Sequence, residues 1–236
     1  MTTTQTHDTA RDERSHRVPP TNSRAWALAG VAAGLAGIVG IQASLGIDAV
    51  YDEKYQGDAV KIADRLGDLV PQLLGLHFGM VLAALLLLVF GAGLRRRLKE
   101  QTPVGSLLPD VAAGGLMLTS VAALLGAGFT TEIVFGVTDD EVRLDPEFAA
   151  LVAHWVGTIP WLWVGAGAAG VALAVASLRH AAAPRWIGWT GAVLGGITLL
   201  VGISPLQYLA GFTGPLLVLL LGVGFGFGDR RARTGR

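Results

Sequence analysis

The sequence predicts an all-α, polytopic membrane protein: a bundle of six transmembrane helices. Three observations predict it. Of 236 residues, 52% are hydrophobic and only 15% are charged, where a soluble domain carries about 25% charged residues. The apolar residues come in long unbroken blocks, not in the alternation or stripe of a half-buried surface. Lys and Arg gather in every second gap between those blocks. There is no cysteine, which excludes disulfides, thiolate metal sites and thiol-redox chemistry.

Residues 1–23 are polar, contain Pro19-Pro20, and predict a disordered cytoplasmic tail. Helix 1 is expected over 25–46. At 22 residues that run exceeds a signal-peptide core of about 7–15 residues and reads as a retained span. An acidic loop follows. Within it, Ala59, Val60, Ile62, Ala63 and Leu66 are spaced like one face of a short surface helix. Helix 2, residues 69–94, runs 26 residues without a charge and closes on Arg95-Arg96-Arg97, which marks it as a span. Pro103 and Pro109-Asp110 lead into helix 3, about 111–132. After a second acidic loop, helix 4 is expected over 147–177. It is long for one span and contains Pro160, which predicts a kink, a tilt or a first turn outside the lipid. Helix 5 (186–203), the turn at Ser204-Pro205, helix 6 (206–228) and a basic cytoplasmic tail (229–236) complete the chain. The six helices form one domain over 24–228.

Fourteen of the eighteen Lys and Arg residues fall on the side holding both termini, and twelve of the eighteen acidic residues on the other. The positive-inside rule then places both termini in the cytoplasm of a bacterial plasma membrane. The spacing Asp68–His77 in helix 2 equals Asp145–His154 in helix 4. One reading is descent from a repeated two-helix hairpin. The other is the shared inner and outer patterning of any membrane hairpin.

Two histidines lie inside the predicted spans, His77 and His154, each about 10–12 Å below the outer end of its helix. Imidazole ligates haem iron or a divalent metal and carries protons near neutral pH. In helix 2, Gly75, Gly79 and Ala83 form a small-residue stripe, with His77 about 200° away from it. That predicts a helix packed on two sides. In helix 4, Glu147, Ala150, His154, Thr158, Trp161 and Gly165 share one stripe. At the same outer level stand Gln42, Asp48, Tyr51, Gln72, Glu132 and Gln207-Tyr208. With the histidines they would line a polar pocket, or each would simply bond a neighbouring helix or interfacial water. No His-x-x-x-His pair exists and no Glu-x-x-His pair lies within the expected spans, which speaks against a zinc hydrolase. The pairs Gly30/Gly34 and Gly191/Gly195 predict close packing within the chain. The glycine-rich end of helix 6 lacks the lysine of a phosphate loop. The tryptophans Trp26, Trp155, Trp161, Trp163, Trp186 and Trp189 read mostly as bilayer anchors.

In architecture and composition the whole chain resembles the small six-span integral membrane proteins common in actinobacteria. The sequence thus predicts a protein of the lipid bilayer without visible catalytic machinery and without a cofactor: transporter-like, partner-binding or accessory. It would work with a membrane-protein partner or as a homo-oligomer, and not with nucleic acid. Two alternatives stand beside this. One is a redox protein or enzyme holding haem b or a divalent metal between His77 and His154. The other is a proton-coupled transporter using His77, Glu132 and His154, although no acidic residue lies near the midplane of a span.

Overall fold

A computed structural model describes residues 24–139, 141, 144–158 and 163–228, and every regular element among them is helical. The expectations for the two tails and for Pro160 concern residues outside this set. The helices are α1 (Ala25–Leu45), α2 (Ala59–Asp68), α3 (Val70–Lys99), α4 (Leu108–Thr138), α5 (Pro146–Thr158), α6 (Val164–His180), α7 (Arg185–Gly202) and α8 (Ala210–Val223). A short 3-10 turn, Gln207–Leu209, precedes α8, and a π-helical turn, Gly224–Gly228, follows it. Among the described residues, four stretches are long and apolar enough to cross a membrane: Ala25–Leu45, Val70–Lys99, Leu108–Thr138 and Gln207–Gly228.

Six helices close a ring in the order α1, α3, α4, α6, α7, α8, with α8 packing back on α1. The two amphipathic or short helices, α2 and α5, stand apart from it and pack mainly on each other. Local sequence sets their starts. Asp58 caps α2, its carboxylate accepting from the Lys61 N–H at 3.2 Å. Asp145 does the same for α5, accepting from the Phe148 N–H at 2.9 Å, with Pro146 in the first turn. Both satisfy amide groups that have no partner inside the helix. On α2, Ile62 and Leu66 are buried while Val60 is exposed, so the expected surface helix is present, and it leans on α5.

The continuous helix expected over 147–177 is instead two helices. α5 joins the cap with α2, and α6 joins the ring. The apolar run is continuous in sequence, so periodicity alone could not reveal that its two halves pack on different neighbours. Elsewhere the spans run longer than expected. α3 carries its arginines as a last helical turn, and α4 extends from Leu108 to Thr138.

Glycine controls the ring contacts. A Cβ on Gly79 would come within 2.8 Å of Gly40 in α1, and one on Gly75 would meet the Ala43 methyl at 3.1 Å. The small-residue stripe of α3 therefore faces α1, and the opposite side faces α4, as two-sided packing required. Gly191 and Gly195 both lie against α6, at Gly170 and Gly167, so this pair packs within the chain. Gly30 and Gly34 divide between Phe90 of α3 and Leu219 of α8. Trp163 departs from the anchor expectation. It is 1% exposed and sits at the head of α6 between Gly37, Gly214 and Pro215. Trp186 and Trp189 do remain exposed near the basic end of α7.

The closest crossing is α4 on α6, where Gly115 and Gly165 oppose each other and a Cβ on Gly165 would stand 2.8 Å from the Thr119 hydroxyl and collide with the Gly115 carbonyl. Gly165→Leu should destabilise the purified protein by roughly 1–3 kcal/mol, the usual cost of overpacking, seen as a lower melting temperature in detergent. Gly196→Ala, where nothing lies within 4 Å, should leave it unchanged.

Candidate functional site

His77 sits half-buried at the seam between α3 and α4. Its Nδ1 lies 3.2 Å from the Ala127 carbonyl oxygen and 3.1 Å from the Thr130 hydroxyl. The Thr130 hydroxyl donates its own proton to the Ala127 carbonyl at 2.8 Å. Both neighbours can therefore accept from the ring, which places a proton on Nδ1. Thr131 also donates to Ala127, at 3.0 Å. One carbonyl thus gathers two hydroxyls and an imidazole at the level where α3 and α4 are longest. Thr130 and Thr131 carry no signal of this in the sequence, since helical threonines usually bond back to their own helix.

His154 has different surroundings. It is exposed, on α5, beside Trp155, whose ring meets Phe129 of α4 edge to face at 5.5 Å. Phe129 points roughly 130° round α4 from the Ala127–Thr130 face, at about 100° per residue. α4 thus stands between the histidine seam and the place where α5 docks. The equal depth expected for His77 and His154 assumed one helix from 147 to 177, and the break between α5 and α6 removes that assumption.

The other candidates divide likewise. Gln42 and Glu132 are exposed on the outside of α1 and α4. Gln72 is half-buried at the start of α3, against Gly46, and its Oε1 is buried without a hydrogen-bond partner. Tyr51 lies near Tyr208. Burial pushes the Tyr51 hydroxyl above its ordinary pKa, and the Tyr208 phenol adds to the effect. This contact brings the loop after α1 to the turn before α8. Gln207 and Tyr208 belong to the 3-10 turn that precedes α8. Thr158, Trp161 and their neighbours fall outside the described side chains. No group of three or more His, Asp or Glu residues converges among the described residues.

Asp48 belongs to the scaffold. Its two carboxylate oxygens each take a bond of 3.0 Å from Arg65, one from Nε and one from the guanidinium end. This two-point pair ties α2 to the end of α1 across a loop of about a dozen residues. Arg65 also reaches Asp68 at 3.6 Å and stands 5.7 Å from the Tyr55 ring centre. Comparison with protein-family models, with curated proteins and with solved structures finds no match.

The Arg65 guanidinium beside Asp48 holds its carboxyl below the ordinary 3.8. The unfolded chain therefore takes up the proton first as pH falls. The contribution of the pair is complete above pH 3.8 and drains away as pH drops through the lower folded value. Protease cleavage within residues 47–68 should rise more steeply below that pH in the wild type than in Asp48→Asn, which lacks the pair at every pH.

Proposed function

We propose that the chain is a six-span protein of the bacterial plasma membrane, with both termini in the cytoplasm, acting as a partner-binding or accessory component that displays the α2–α5 cap outside. Support for six crossings comes from the closed ring, in which α6 and α7 stand beside the four stretches long and apolar enough to cross a membrane. At 17 residues α6 rises only about 25 Å, a few Å less than the hydrocarbon core. Its outer end is the buried Trp163, so it starts inside protein and need not reach the interface. Asp110, paired with Arg95, and Glu132 bracket the uncharged part of α4, about 33 Å long and close to one bilayer thickness. Around the ring the exposed side chains are apolar, for example Leu35, Leu85, Leu125, Ile197 and Leu216.

One observation favours an accessory role over transport: the ring centre is apolar. Among the described residues, the buried polar side chains are Ser44, Thr119, Ser120, Thr130, Ser177 and Thr198, and none is charged. Most are spent on helix carbonyls, as Ser120 is on Ala84 at 2.7 Å. A permeation path is lined by polar groups or water. Phe90, Leu87, Leu116, Leu173 and Leu217 fill the inner half instead. Reporter fusions after Asp52 and Glu141 should read outside, and fusions after Glu100 and Ala182 inside. An odd tally of crossings would overturn the six-span reading. Reconstituted protein should show no flux coupled to a pH gradient, and such a flux would replace the accessory reading by proton-coupled transport.

The second reading keeps His77 as a ligand. An imidazole whose Nδ1–H is held by a carbonyl presents Nε2 in the manner of metal-bound histidines, here toward haem b or a divalent metal. Purified protein would then show a Soret band or a stoichiometric metal that His77→Ala removes. A colourless, metal-free preparation from haem- and metal-replete cells discards it.

A further inference from the structure

We propose that the cytoplasmic end of α3 is a binding site for one anionic phospholipid, with Arg96 as the headgroup contact. The proposal rests on the spanning arrangement above. Leu85, Leu88, Ala92, Arg96 and Lys99 follow one another at steps of three and four, so they share one exposed face of α3. The upper part of that face is apolar and lies at the depth of acyl chains. The lower part opens into a groove of about 430 Å³ lined by Ala92, Arg95, Arg96, Lys99 and Glu100.

The charges in the groove are not equivalent. Arg95 donates from Nε to an Asp110 carboxylate oxygen at 2.6 Å, and Lys99 stands 3.8 Å from the same oxygen. One carboxylate of α4 therefore holds two cations of α3 in place. Arg96 is exposed and has no described partner, and it projects between the apolar stripe and the fixed pair. Among the described residues, the acidic groups beside Arg95, Arg96 and Lys99 are Asp110 and Glu100, which leaves a surplus cation at the level of the phosphates. A guanidinium with its donors free matches a phosphodiester, which accepts two parallel bonds from it. A basic cluster directly cytoplasmic of a span is where anionic lipid accumulates, and the apolar stripe above selects a lipid over a soluble phosphate.

Thermal unfolding of the full chain in neutral detergent reads this directly. Added phosphatidylglycerol should raise the melting temperature, while phosphatidylcholine and millimolar inorganic phosphate should not. Arg96→Gln should weaken phosphatidylglycerol binding about fivefold. Arg96→Lys should keep part of it. Arg179→Gln, at another basic inner position, should keep all of it. Equal protection by phosphatidylcholine, equal protection by phosphate, or an unchanged response in Arg96→Gln overturns the site. Reporter fusions on the wild type separate the two readings: an inverted or lost topology sinks the spanning arrangement, whereas correct topology without phosphatidylglycerol preference sinks only this one.

Discussion

Two helices inside a bilayer gain nothing by hiding apolar side chains from lipid, so close packing must hold them together. Three seams of this ring meet that requirement with glycine facing glycine. Gly79 meets Gly40, Gly165 meets Gly115, and Gly170 meets both Gly191 and Gly195. At each point backbone approaches backbone, dispersion contacts multiply, and a side chain on either partner would force the helices apart. The composition of the chain, with 33 glycines, is the composition of such a ring. The few interhelical hydrogen bonds, Ser120 to the Ala84 carbonyl, Thr198 to Thr213 and His77 to the α4 turn, lock helices already brought close.

The same constraint explains the division between ring and cap. α2 is charged on one side and apolar on the other, and it is short. It is too short to cross, and the Asp48–Arg65 pair fixes it to the end of α1. α5 is apolar enough to resemble the start of a span, yet it docks on α2 and touches α4 through Trp155. α6 begins at the buried Trp163, which packs against Gly37 of α1 and Gly214 of α8. The polar residues that reading from sequence would gather into one pocket are spread between the two layers: His77 in the seam of the ring, His154 on the cap, Tyr51 and Tyr208 at the rim.

Much of the architecture was legible in the sequence because hydrocarbon imposes a length and a polarity that no soluble context imitates. The ends of α1, α7 and the Gln207–Gly228 stretch fall within one or two residues of the expected spans. The face of α3 that packs on α1 follows from Gly75, Gly79 and Ala83 alone. The surface helix after α1 follows from Ile62 and Leu66. What the sequence left open is how the apolar run 147–177, with its Pro160, divides between neighbours. Residues 147–177 satisfy the hydropathy of a span throughout, and only their neighbours divide them.

The sequence by itself determined that this chain is helical, where its long apolar helices run, and which termini and loops carry the positive charge. Those properties depend on residue type and spacing, and the bilayer reads them one helix at a time. Only the tertiary structure decided that α5 leaves α6, that α4 separates His77 from the docking face of α5, and that Thr130 places a proton on Nδ1 of His77. These depend on which helix stands beside which, and a glycine's partner across a seam is not written in its own helix.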